Sequence, residues 1–275
     1  MGLELRAPRR GRRHAAARLA ARLAVTGLTA AALGLALLPA TVTAADVRQA
    51  PAASRPPLAG KVIGIDPGHN GLNHTDPAFL SHRIWNGREW ESCDTTGTQA
   101  AGGYTEARFN WNVAMDLRAD LVKLGARVVL TRTSNHGLGP CVDQRARILD
   151  RAHASVSVDI HADGGPRSGR GFTILEPVAD GPNNKVIASS ARFGRDVHAA
   201  LLRSTPMRIS NYYGRNGYIS RNDLAGLNLT TMPKVLIECG NMRNPADAAL
   251  LVRPSVQRSI AAALAAAIIR FLAGR

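Results

Sequence analysis

"VIGIDPGHNG" (residues 62–71) is the stretch on which the reading of the fold turns. A short apolar run meets Asp66-Pro67-Gly68 and stops, and His69 stands just beyond the break. Such a run bounded by turn residues reads as a buried strand, here over residues 61–66. A histidine at that point is either a solvated surface residue after a turn or a metal ligand. A strand end holds a side chain rigidly and still leaves it open to solvent. The remaining sequence has to decide.

Working outward, strand and helix patterns alternate. Residues 70–103 form a long polar segment rich in Gly, Asn and Thr, too long for a mere connector. A helix is predicted over 105–124, with Phe109, Val113, Leu117 and Leu121 at helical spacing and Gly125 ending it. Strands are expected at 126–131, 156–160, 172–175 and 235–237, and helices at 142–154, 186–202 and 260–272. Residues 203–233, which carry Tyr212, Tyr213 and Tyr218, read as irregular. This alternation argues for one α/β domain with a mixed, mostly parallel central sheet flanked by helices.

The first 44 residues stand apart. Arg9-Arg10-Gly11-Arg12-Arg13 is a basic cluster, an Ala/Leu-rich apolar run follows, and Val42 and Ala44 supply small residues for cleavage. Residues 1–44 therefore read as a secretory signal peptide, the alternative being a retained membrane anchor. Residues 45–59 read as a linker and 60–275 as the catalytic domain. No other segment reads as a bilayer span, so no stable membrane insertion is expected after cleavage. Residues 1–44 carry seven arginines against Glu4, so their removal lowers the net charge from +15 to about +9. A basic exported protein is drawn to anionic cell-wall polymers and phospholipid. No nucleic-acid-binding signature is present, and nucleic acid is not an expected partner.

Two of the three cysteines are expected to pair in an exported chain. Cys239 lies inside an apolar strand, whereas Cys93 and Cys141 lie in loop sequence. The expected pair is Cys93–Cys141, with Cys239 a free thiol; position alone leaves the other pairings open.

Ligands of such a sheet gather beyond the carboxyl ends of its strands. Ionisable residues cluster at that edge: His69 after the first strand, His161 in "VSVDIHAD" at the end of the strand over 156–160, and Glu238 in the last strand. Glu106 opens the first long helix. Each has a plain structural explanation, Glu106 as a charge at a helix N-terminus and His161 as a hydrogen-bonded strand end. Glu238, however, sits in an otherwise apolar strand where an unpaired carboxylate is costly to bury. Two histidines and a glutamate with a fourth position open make a catalytic zinc set. An H-E-x-x-H helix is absent from the sequence.

"IDPGHNG", "YTEARFNWNVAMDLRADLVKLGARVVLTRT", "VSVDIHAD" and "MPKVLIECGNMRNPADAALL" together resemble the type 3 family of zinc-dependent N-acetylmuramoyl-L-alanine amidases. The likeness runs over residues 61–272, with the motifs in family order, and is greatest to the single-domain secreted amidases of mycobacterial type. It implies zinc (Zn2+) held by His69, Glu106 and His161, and Glu238 as the catalytic glutamate. Arg132, Arg145, Asn244 and Asp247 fall on motif positions as framework residues. Asp159 and Asp163 stand where the family often has Ser and Asn, and Asn241 where Phe is common. These departures touch none of the four key residues but leave substrate contacts near Asp163 and Asn241 open. No inhibitory helix is evident. The expected reaction is zinc-assisted hydrolysis of the amide between N-acetylmuramic acid and L-alanine in peptidoglycan, by a secreted monomer of the periplasm or cell wall. Arg215, Arg221 and Asn241 are candidate substrate contacts. The competing readings are a peptide-cleaving zinc endopeptidase of the wall and a non-catalytic wall-binding protein on the same scaffold.

Overall fold

The computed structural model describes residues 55–274; the expected signal peptide and most of the expected linker lie outside them. Six strands form the main sheet, β1 (Val62–Pro67), β4 (Arg127–Leu130), β5 (Val156–Asp163), β6 (Thr173–Pro177), β7 (Tyr218–Arg221) and β8 (Lys234–Asn241). Their spatial order is β4-β1-β5-β8-β6-β7. All neighbours run parallel except β6 and β8, which are antiparallel, so the sheet is mixed and mostly parallel as the alternation predicts.

Side-chain alternation divides the sheet into two chemically different faces. Val156, Val158, Ile160 and Ala162 of β5, and Val235, Ile237 and Cys239 of β8, point into one large apolar cluster. That cluster is completed by α2 (Glu106–Lys123), α4 (Ile187–Ser204) and α7 (Pro254–Leu272). The alternate residues Asp159, His161, Lys234 and Glu238 therefore occupy the opposite face. There the sheet meets α3 (Val142–Arg151), α5 (Ala225–Asn228) and the long segment after β1. The active face is polar because the other face takes nearly all of the apolar burial.

Several expectations are corrected. The segment 70–103 contains a 3-10 turn, α1 (Pro77–Ser81) and a hairpin of β2 (Arg83–Trp85) and β3 (Trp90–Ser92). The segment 203–233, expected to be irregular, contributes β7 and α5. Both β5 and β8 outlast the expected strands, so His161 lies within β5 and not at its end, while Glu238 lies within its strand as expected. Between them and α7 sits α6 (Pro245–Leu251), capped by the Asn244 side chain. Contrary to the sequence reading, α7 is also long and apolar enough to cross a bilayer. Here Ile260, Leu264, Ile268 and Phe271 are buried in the core, which accounts for its composition.

Cys93 and Cys141 form the expected disulfide, and Cys239 is buried and unpaired. The bond joins the end of the hairpin to the start of α3.

Candidate active site

His69, Glu106 and His161 converge as expected, with ligand atoms all within 4.8 Å of one another. Each arrives by a different route. His69 follows β1 in the left-handed region, φ 58°, a conformation costing roughly 1–2 kcal/mol for a non-glycine residue. Arg145 secures it by donating from Nη2 to the His69 carbonyl at 2.9 Å. Gly68 is required just before it, because a Cβ there would lie 2.1 Å from the His161 ring. Glu106 occupies the first turn of α2, whose N-cap is Thr105. His161 lies on the polar face of β5.

The Glu106 carboxylate is the hub. Its Oε1 lies 3.1 Å from His69 Nε2 and 2.9 Å from His161 Nδ1, and also accepts from the Ala162 amide. Its Oε2 accepts from the Thr98 amide at 2.9 Å. The other nitrogen of each imidazole faces a separate acceptor. His69 Nδ1 lies 3.1 Å from the Thr95 carbonyl and 3.3 Å from Asp94, and His161 Nε2 lies 3.5 Å from Asp159. Outer acceptors of this kind fix the tautomer and leave His69 Nε2 and His161 Nδ1 for a cation. Burial opposes protonation of His69, yet Glu106 and the Asp94 hydrogen bond outweigh it and raise the ring to about 9. Burial likewise opposes a charge on His161, but Asp159 and Glu106 raise it well above its ordinary value. The site thus attracts positive charge. Two imidazole nitrogens and one carboxylate oxygen, converging with a side left open to the groove, are a donor set of the kind that holds zinc.

Behind the cluster runs a buried chain of alternating charges. Arg145 lies 3.4 Å from Asp94 and 2.9 Å from Asp66; Lys234 lies 3.1 Å from Asp66 and 3.5 Å from Asp159. The two acceptors behind the histidines, Asp94 and Asp159, are therefore tied to each other through Arg145, Asp66 and Lys234. Arg132 adds bonds to the carbonyls of Pro67 and Ala107. The framework roles expected of Arg132 and Arg145 are visible in these bonds. Sequence reasoning missed Asp94 and Lys234. A lysine opening an apolar strand was a usable signal for the second; Asp94, in a long polar segment, offered none.

Glu238 lines the same groove as the cluster, together with Asp163, Tyr213 and Arg221. Its Oε2 is buried and has no hydrogen-bond partner among the described residues. Burial raises this carboxyl to about 8, with His161 pulling down and Glu106 pushing up. Gly97 forms the facing wall at φ 70°, and a Cβ there would meet the His69 ring at 2.7 Å and Glu106 at 2.8 Å.

The candidate substrate contacts separate. Arg221 borders the groove, held by Asp223 and Tyr213. Arg215 is exposed on the turn before β7 and does not line the groove. Asn241 is fully buried, donating to the carbonyls of Pro166 and Gly169 and accepting from the Arg243 amide. Those bonds fix the loop after β5, so Asn241 is corrected to a loop-holding residue. Asp247 fixes the same loop through the amides of Gly171 and Asn241, and Asn244 through the Arg167 carbonyl.

A mixed α/β sheet with a His–Glu–His cluster and an unpaired facing carboxylate defines the class: a single-domain protein with a candidate metallohydrolase centre. Comparison with known proteins gives the family. The family model described as N-acetylmuramoyl-L-alanine amidase (Amidase_3) matches residues 63–270, and the chain belongs to that family. It is 40% identical over 223 residues to the N-acetylmuramoyl-L-alanine amidase Rv3717 of Mycobacterium tuberculosis, covering 78% of this chain and 88% of that protein. It is 26% identical to the germination-specific N-acetylmuramoyl-L-alanine amidase of Bacillus subtilis, covering 78% and 81%. Among solved structures, the N-acetylmuramyl-L-alanine amidase Ami1 of Mycobacterium smegmatis superposes with a TM-score of 0.74 at 38% identity, covering 79% of this chain and 99% of that one.

Proposed function

We propose that this protein hydrolyses the amide joining N-acetylmuramic acid to the L-alanine of the peptidoglycan stem peptide, with zinc bound by His69, Glu106 and His161. The observation that carries this reading is the unpartnered, buried Oε2 of Glu238 in the groove of the His–Glu–His cluster. A carboxylate left without a partner costs stability and makes sense where a proton must be moved.

Zinc bound there supplies a Lewis acid that polarises a carbonyl and lowers the pKa of water from 15.7 to about 7. The chain's own residues do the rest. Glu238 accepts the proton of the attacking water and returns it to the leaving nitrogen, so that water's oxygen ends on the lactyl carbonyl carbon and both products leave stable. Burial raises its carboxyl in the metal-free fold, which suits a group that takes up a proton and gives it back. Asp94 and Asp159 hold the two imidazoles in the tautomers that the metal requires. Arg221, braced by Asp223, meets stem-peptide carboxylates at the groove edge; Arg215 adds charge on the exposed turn beyond.

Residues 1–44 act in this reading as a signal peptide, and the exported monomer works on peptidoglycan in the periplasm or cell wall. The Cys93–Cys141 bond supports an oxidising compartment. Purified protein incubated with muropeptides should release an intact stem peptide beginning at L-alanine together with lactyl-bearing muramic acid. A chelator should abolish the release and zinc should restore it. Cleavage within the stem peptide would instead identify an endopeptidase.

A further inference from the structure

Among the described residues, Trp90 is the most exposed large apolar side chain, and a second exposed tryptophan, Trp85, lies beside it on the β2–β3 hairpin. Trp85 is 47% and Trp90 is 59% exposed. They are directly opposite in the hairpin register, with ring centroids 5.8 Å apart and planes at 65°. Two large aromatics standing side by side in solvent are costly and mark a contact surface.

The hairpin is held at both ends. At its base Cys93 is bonded to Cys141, and Ile84 is buried with both of them and Ala225. At its tip Asn86 accepts from the amides of Arg88 and Glu89, and Gly87 abuts Asn228 and Leu229. On the inner face Glu91 Oε1 accepts from the Ala225 amide. The indoles therefore belong to a fixed outer surface.

The end of β3 adjoins the active-site cavity. Strand alternation puts Trp90 and Ser92 on the same face, roughly 7 Å apart along β3. Ser92 in turn lines a cavity of about 350 Å³ that reaches His69 and His161. A long polymer lying in the site has the tryptophans within reach along β3. The patch is also small and flanked by exposed hydrogen-bonding groups, Arg83, Arg88 and Ser92. A lipid surface needs a wider apolar area. A pyranose ring, with one apolar C–H face and hydroxyl and acetamido groups at its edge, fits an indole flanked in this way.

We propose that Trp85 and Trp90 form a stacking platform for the N-acetylated glycan strand of the substrate polymer, beside the bond that is cut. The proposal rests on the amidase reading for its substrate, but the platform can be tested without bond cleavage. The probe is a soluble β-1,4-linked hexamer of N-acetylglucosamine, which has no stem peptide. Added to the full-length chain, it should shift the tryptophan emission, and Trp85→Ala/Trp90→Ala should remove the shift. The same double variant should hydrolyse insoluble peptidoglycan about tenfold more slowly at low substrate, the scale of losing an aromatic contact. Turnover of a single N-acetylmuramoyl peptide should stay within about twofold, because it is too short to reach the platform. Trp85→Tyr/Trp90→Tyr should retain most of the binding, and serves as the test should the alanine pair not fold. Hexamer binding that survives in the alanine pair, equal loss on both substrates, or a response to phospholipid vesicles in place of the hexamer would overturn the platform. If the wild-type chain binds the hexamer through these residues but cuts no amide, the amidase reading fails and the platform stands. If it cuts the amide but does not bind the hexamer, the reverse holds.

Discussion

Glu238 stands directly across from His161 in the register that joins β5 to β8, so both side chains leave the sheet on the same face. The imidazole is tied to Glu106 and Asp159, whereas Glu238 Oε2 is tied to nothing among the described residues. In the proposed reaction the two neighbours divide the work, one holding a metal and the other moving a proton. His69→Ala, Glu106→Ala and His161→Ala should each lose zinc and hydrolysis together. Glu238→Gln should keep zinc near one per chain while turnover falls about a hundredfold or more. Zinc counting beside muropeptide hydrolysis on the four variants separates these outcomes. Full turnover in zinc-loaded Glu238→Gln would remove Glu238 from the reaction.

The same carboxyl gives a pH signature in metal-free protein. Burial raises it from an ordinary 4.5 to about 8 in the folded chain. Between those values the folded chain holds a proton that the unfolded chain has released. Stability must then fall as pH rises from about 4.5 to about 8, and level off above. Glu238→Gln has no proton to lose. In chelator, its melting-temperature advantage over the parent should grow from pH 5 to pH 8 and then stay constant. An advantage independent of pH would show that Glu238 is already ionised in the fold.

The four key residues were legible because each sits beside a pattern with a strong local signal. His69 follows a turn, Glu106 starts an amphipathic helix, and His161 and Glu238 interrupt apolar strands. The period-two pattern of "VSVDIHAD" also carried the two-faced sheet, since its apolar half meets the helices and its polar half the site. The β2–β3 hairpin and β7 were hidden for a different reason. Their strands span three or four residues; β7 pairs with the distant β6, and the hairpin is anchored by Cys141 and Ala225 from far along the chain. Asn241 misled because it follows the catalytic strand motif closely, yet its amide is spent on the loop carbonyls of Pro166 and Gly169.

Lys234 should prove far more important to stability than an ordinary lysine. Its ammonium is fully buried between Asp66 and Asp159. Burial alone would raise the Asp66 carboxyl, but Lys234 and Arg145 outweigh it and hold it well below the usual range. Lys234→Met leaves both carboxylates short of a counter-charge, a change that costs about 3–5 kcal/mol. Asp159→Ser in the same chain should recover part of that loss, because it removes one of the stranded charges. Denaturant unfolding of the two single variants and the double variant gives the coupling directly. Purely additive losses would mean that the pair does not interact in the folded protein.

The Cys93–Cys141 bond should matter to the metal site as well as to stability. Its cysteines are 48 residues apart, a loop for which the chain-entropy model gives about 4 kcal/mol. Cys93 is followed at once by Asp94 and Thr95, the two residues that face His69 Nδ1. Cutting the bond releases the strand end that carries them, so the imidazole loses part of what fixes its tautomer. Cys93→Ala/Cys141→Ala should therefore melt at a lower temperature and bind zinc about 10–100-fold more weakly, the range seen when such outer partners are lost. Cys239→Ala should weaken zinc binding far less, because that thiol lies on the opposite face of β8, in the apolar core. Thiol titration of the unfolded, unreduced protein should find one free cysteine per chain. If the folded double variant binds zinc as tightly as the parent, then Asp94 and Thr95 are held in place by Asn70, Arg145 and Asn73 without the disulfide, which serves stability only.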